Sequence, residues 1–159
     1  MDKVLDVSKY MYLQYKNMYK DEIDELKLHK LLYLAQRESF AITNSPLFDG
    51  QFEGWKHGPV CKIVRSAICT GEISSSHSEL SPGSMYVVNN ILIEYGKMDS
   101  WELRNLTHKE ISWLNSRKGL SDDENGCQVI QLEDIRQDSF KVRPYDHIWD
   151  MYYDEFDDA

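Results

Sequence analysis

A chain of 159 residues with 42% hydrophobic content is long enough to bury one core and leaves no room for a second, so a single domain is expected. Its 27 acids outweigh 18 bases to give a net charge of -9, which argues against a protein whose main work is neutralising phosphates. Much of the acidity is local: residues 145–159 hold six acids and no Lys or Arg, leaving 21 acids against 18 bases in the 144 residues before them.

Cys61, Cys69 and Cys127 are odd in number and contain no C-x-x-C pair, so neither a disulfide framework nor a zinc ribbon is suggested, and a reducing cytoplasm is the expected setting. No stretch approaches the ~18 uninterrupted apolar residues of a membrane span, and the N-terminus carries Asp2 and Asp6 where a leader would be apolar. A soluble, unprocessed protein without membrane contact is expected.

In chain order, Val4, Val7, Met11, Tyr15 and Met18 recur at spacings of three and four, the stripe of an amphipathic first helix. Asp21, Glu22, Asp24 and Glu25 then gather where carboxylates complement a helix N-terminus, and a second helix follows from about Asp24 to about Ala41. Its middle is apolar on nearly every side, through Leu26, Leu28, Leu31, Leu32, Tyr33, Leu34 and Ala35. Only a narrow strip remains for Lys27, Lys30 and Arg37. Such a segment belongs at the centre of the fold, and His29 within it reads as a hydrogen-bonded core or boundary histidine.

Asp49-Gly50 between Leu47-Phe48 and Gln51-Phe52 predicts a small β-hairpin near residues 46–54. Gly54 then admits a close neighbour ahead of Trp55, and Gly58-Pro59 places proline at the favoured first position of a third helix carrying Val60, Ile63, Val64, Ala67 and Ile68. The serine-rich stretch from Ser74 to Gly83 reads as a surface loop containing a solvated His77. Further helices are expected from about Ser84 to Tyr95, from Asp99 or Ser100 through Leu106, and from a Thr107-x-x-Glu110 capping box to near Gly119. Cys127–Ile130 reads as an extended segment, and a last helix of the domain starts near Leu132 and cannot pass far beyond Val142 because Pro144 restricts its predecessor.

Residues 145–159 differ in kind. Tyr145, Ile148, Trp149, Tyr152, Tyr153 and Phe156 share one helical face while Asp146, Asp150, Asp154 and Asp157 repeat on the other. The expected architecture is therefore mainly α: a compact bundle of about six to eight helices over residues 1–144, plus an acidic, aromatic C-terminal helix or tail that packs on it or serves for docking.

Chemistry-bearing motifs are scarce. His29, His57, His77, His108 and His147 show no metal-ligand spacing, and there is no phosphate-binding glycine loop and no nucleophile elbow. A hydrolase built on Cys61 and His57 is disfavoured because the cysteine falls on the apolar side of its helix. No enzymatic activity, cofactor or metal is expected, and direct nucleic-acid binding is disfavoured by charge. What stands out instead are aromatics in unusual places, Trp55 beside a Gly-Pro turn and the stripe of the tail, and aromatic anchors supply much of the affinity at protein interfaces.

Leu28-His29-Lys30-Leu31-Leu32-Tyr33-Leu34-Ala35-Gln36, then Phe52-Glu53-Gly54-Trp55-Lys56-His57-Gly58-Pro59-Val60, then Tyr95-Gly96, Leu103, Leu106-Thr107-His108 and Trp113, resemble the Panacea domain of bacteria and phages in order and separation. The resemblance spans roughly Leu26 to Ile135; Gly54 replaces the alanine usual before the tryptophan, and Ser112 stands where proline often precedes Trp113. It implies a mostly helical domain without a catalytic site, acting as an antitoxin that binds and neutralises a toxin encoded beside it. Some relatives act instead as adaptors that hand a toxin to a protease. Glu53, Trp55, Lys56, His57, Thr107, His108 and Trp113 are the expected partner contacts, with Trp55, Lys56, His57 and the Thr107-His108 region near one another, while Leu31, Leu32, Tyr33, Gly58, Pro59 and Val60 are architectural. The alternative is a proteolytic adaptor or phage-encoded inhibitor that docks a host protein through Trp149, Tyr152, Tyr153 and Phe156 of the acidic tail.

Overall fold

The structure is a computed structural model and describes residues 1–75 and 79–143. The expectations for His77 and for the tail residues Trp149, Tyr152, Tyr153 and Phe156 lie outside the described residues. Those residues form eight helices and one two-stranded antiparallel sheet, a mainly α fold. None of the described helices is long and apolar enough to cross a membrane.

The organising element is helix α2 (Glu25–Thr43). Asp24 caps it by accepting from the Lys27 backbone N–H at 2.8 Å, and every residue from Lys27 to Phe40 is buried. The expected polar strip is thus covered as well: Lys27, Lys30 and Arg37 are as enclosed as Leu31, Leu32 and Tyr33. Each fully buried leucine contributes about 2 kcal/mol relative to exposure, which makes the middle of α2 the largest single source of core energy. Around it pack α1 (Val4–Tyr19), α3 (Lys62–Cys69), α5 (Pro82–Tyr95), α6 (Ser100–Thr107) and α8 (Leu132–Ser139), with the short α4 (Glu72–Ser75) and α7 (Ile111–Ser116) outside. The α1 stripe faces inward through Val4, Val7, Met11 and Tyr15, whereas Met18 is exposed.

The antiparallel pair lies further along the chain than the Asp49-Gly50 signal suggests. Strands β1 (Glu53–Trp55) and β2 (Gly58–Val60) pair Glu53 with Val60 and Trp55 with Gly58, so Lys56-His57 forms the turn. The reason is Gln36. From within α2 its Oε1 accepts from the Leu47 and Phe48 backbone N–H groups at 2.8 and 3.3 Å, and its Nε2 donates to Phe48 O at 3.1 Å. The backbone groups that a hairpin at 46–54 would pair are already satisfied, and Phe48 and Phe52 are both buried.

Pro59 consequently sits in β2, and α3 starts three residues later at Lys62; the proline that opens a helix is Pro82, at the start of α5 behind the Ser81 cap. The extended reading of residues 127–130 holds, since Gly54 N–H donates to Gln128 O at 2.9 Å and Ile130 N–H to Phe52 O at 2.7 Å, laying that segment along β1. Thr107 does not open a helix. It is the last residue of α6, and α7 is capped through space by Asp138 of α8, whose carboxylate accepts from the Ile111 and Ser112 N–H groups at 3.0 and 2.9 Å.

Candidate partner-binding surface

The hairpin end is assembled by side chains distant in sequence. Trp113, from α7, donates its indole N–H to Trp55 O at 2.9 Å. His108 stacks on the Trp113 ring at 3.9 Å and 18°, and the Arg117 guanidinium lies 5.2 Å from the same ring centroid. Arg117 also donates to Gly54 O at 3.0 Å and to Glu124 O at 2.5 Å, tying β1 to the loop before residue 127. Gly54 is required for this approach, because a Cβ there would overlap Ser116 Oγ and stand 2.9 Å from Ser116 Cβ. Gly58 is required for another reason: at φ +126 it occupies a region that side chains avoid, and a Cβ would meet Thr107 Oγ1 at 3.2 Å and Lys30 Cε at 3.4 Å.

The structure therefore brings Trp55, Lys56, His57, Thr107, His108 and Trp113 together, but not all at the surface. Thr107 is fully buried, with its hydroxyl donating to Arg104 O at 3.1 Å, and Trp113 is 3% exposed. Enclosed in this way, the two underlie the surface and leave the accessible positions to Trp55, Lys56, His57 and His108. Glu53, Trp55, Lys56 and His108 are half-buried and His57 is exposed. Glu53 is partly engaged, accepting from the Trp55 indole N–H at 3.1 Å and facing Lys62 at 3.9 Å.

Beside the turn opens a cleft of about 520 Å³. Its walls come from Leu26 and His29 of α2, Trp55, Lys56, His57 and Val60 of the hairpin, Arg65 of α3, and residues 125–127. Arg65 lies 5.3 Å from the Trp55 ring centroid and is held there by Glu25 at 2.7 Å, so the tryptophan presents a fixed face. Leu26 is 45% exposed, an apolar side chain left at the rim of a helix whose middle is enclosed. An apolar cleft with one anchored aromatic and a charged margin suits a protruding side chain of another protein.

His29 forms the floor. Its Nδ1 accepts from the Cys61 N–H at 3.2 Å and its Nε2 faces Glu25 at 3.3 Å, and burial holds its pKa below the ordinary value despite that carboxylate. The Cys61 thiol is enclosed and pushed up by burial, the opposite of an activated thiolate. Among the described residues no three His, Cys, Asp or Glu side chains are grouped to hold a metal ion.

Two participants escaped the sequence reading. Lys30 belongs to the polar strip of α2 and Arg104 to no motif, yet both stand behind the turn. Burial, with Arg104 nearby, lowers the Lys30 pKa; burial, followed by Arg104 and Lys30, lowers that of His108 to about 4. A lysine directly before the Leu31-Leu32-Tyr33-Leu34-Ala35 run is the one available signal.

No curated protein and no solved structure matches the chain. The family described as "Antitoxin SocA-like, Panacea domain" matches residues 28–114, a span that starts in α2 and ends in α7 and so contains the hairpin, His108 and Trp113, with Ser116 and Arg117 just beyond it. With more than half of its length matched, from the buried helix through the tryptophan turn to the second tryptophan that holds it, the chain belongs to the SocA-like antitoxin, Panacea domain family.

Proposed function

We propose that this chain is an antitoxin that binds a cognate protein toxin and neutralises it by covering a toxin surface, without a cofactor and without catalysis. The carrying observation is the cleft beside Trp55, because the residues that hold its tryptophan in place are the ones the family span contains. The Trp55 side chain is held by Arg65 on its ring and by Glu53 on its indole N–H, and its backbone by Trp113, so little side-chain freedom remains to be lost on association. Lys56, His57 and Glu53 form the polar margin. A protein toxin is the partner that the family description favours, and a neighbouring gene is where we would look for it.

Co-expression tests the reading. The product of an adjacent open reading frame should arrest growth alone, grow normally with this chain, and co-purify with it. Trp55→Ala should weaken that complex by about 2 kcal/mol or more, the range of an interface anchor, while leaving the melting transition cooperative. Rescue without a complex, or no toxic neighbour, would sink the proposal.

A further inference from the structure

The turn residues also border a group of positive charges. His57 lies within the fields of Lys56, Arg104 and Lys30, and His108 within those of Arg104, Lys30 and Arg117. On a chain with a net charge of -9, such a concentration runs against the overall balance. The carboxylates in reach are few and occupied: Asp24 opposes Lys30 but caps α2 and accepts from Ser100 Oγ at 3.2 Å, and Asp122 opposes His108.

Three nitrogens in this group make no hydrogen bond among the described residues, while the Arg104 guanidinium rests 4.7 Å from the Trp101 ring centroid. Lys30 is 2% exposed and its ammonium makes no hydrogen bond or ion pair among the described residues. Arg104 Nε and His108 Nε2 are buried and likewise unpartnered among the described residues. The Lys30 stem passes beneath Gly58, beside His57, and so reaches the same turn that walls the cleft. A buried cation left unpaired is unfavourable, and an entering oxyanion removes the penalty while gaining charge-assisted hydrogen bonds.

We propose that Lys30, His57, Arg104 and His108 form a carboxylate-binding subsite, filled by an Asp or Glu side chain of the protein partner whose apolar neighbours enter the cleft at Leu26, Trp55 and Val60. The identity of the partner rests on the antitoxin reading; the subsite rests on the unpaired donors alone. Its ligand is an oxyanion on a peptide, selected by the positive charge of Lys30, Lys56 and Arg104 around the turn.

The test uses the full chain, isotopically labelled, with the blocked peptides acetyl-Leu-Asp-Leu-amide and acetyl-Leu-Asn-Leu-amide and with inorganic phosphate. The Asp peptide should shift the Arg104 Nε–H and His57 ring signals saturably, and bind about tenfold more tightly than the Asn peptide. Lys30→Met should abolish the preference; if that variant melts poorly, His57→Asn at the exposed rim should reduce it about threefold. Equal response to both peptides, or tighter binding of phosphate than of the Asp peptide, would overturn the carboxylate assignment. Toxin rescue that persists unchanged in His57→Asn and Lys30→Met would remove the subsite and leave the antitoxin reading standing. Peptide discrimination without any toxic neighbour would do the reverse.

Discussion

Helix α2 buries three cations, Lys27, Lys30 and Arg37, and the surroundings of the last two differ. Toward its C-terminal half, Arg37 meets Glu110 at 3.0 Å and Glu38 at 3.8 Å, Lys141 meets Glu110 at 3.0 Å and Asp138 at 3.9 Å, and Tyr33 bonds Ser112 at 2.6 Å and Asp138 at 3.3 Å. About two turns nearer the N-terminus, Lys30 has no such partner among the described residues. The same helix, equally enclosed, thus uses charge in two ways. Where opposite charges and helix-end N–H groups converge, burial fixes α7 and α8 onto the core. Where the cation is left open beside a turn and a cleft, the protein holds a position that something else can complete.

The comparison can be broken most forcefully at its paired end. Asp138→Ala removes the acceptor for two helix N–H groups and for the Tyr33 hydroxyl, and should lower unfolding free energy by about 3–5 kcal/mol in urea melts, the loss that follows breaking a buried charged network. Lys30→Met should cost far less, because no pair is broken; a loss as large as that of Asp138→Ala would show that the two places are alike. Gly58→Ala comes next. Forcing a side chain into φ +126 against Thr107 and Lys30 should destabilise by about 1–3 kcal/mol and weaken partner binding with it.

Acid titration should separate the two ends by sign. Burial, reinforced by Glu94, raises the Glu38 pKa from 4.5 to about 7, so the folded state holds that proton more tightly than the unfolded chain. Its contribution is fully present below about pH 4.5 and is lost as pH rises to about 7. His108 behaves oppositely: with its pKa lowered to about 4, stability is present above the ordinary 6.5 and is lost as pH falls toward 4. Glu38→Gln should therefore flatten the alkaline side of the stability profile between about pH 5 and 7, and His108→Gln the acidic side. The smallest expected change is Asp24→Asn, which keeps the α2 cap and shifts stability by less than about 0.5 kcal/mol. It should nevertheless tighten binding of an acidic peptide, since it removes the carboxylate opposing Lys30.

Elements that depend on local pattern were legible in the sequence. The stripe of α1, the all-round burial of α2, the glycine at Gly54 and the closeness of Trp55 to the Thr107-His108 segment all follow from spacing, turn chemistry or the ordered family motif. What depends on a partner distant in sequence was not. Gln36 captures the backbone of residues 47–48 and moves the hairpin to residues 53–60, and nothing in Asp49-Gly50 reveals that. Asp138 caps α7 from the far end of the domain, which makes the Thr107-x-x-Glu110 pattern misleading although Glu110 does sit at the N-cap position. Lys30 was legible as a cation and illegible as an unpaired one, because pairing is a property of the assembled fold.

The bond from Tyr33 to Asp138 spans 105 positions in sequence, and that from Trp113 to Trp55 spans 58. During synthesis, α2 emerges among the first forty-odd residues, yet the groups that satisfy its polar edge leave the ribosome near the end of the domain. The hairpin turn acquires its tryptophan clamp in the same late interval. A nascent chain therefore cannot display a finished binding surface before α8 has been made, and a partner competing for it meets either an unformed site or a whole domain.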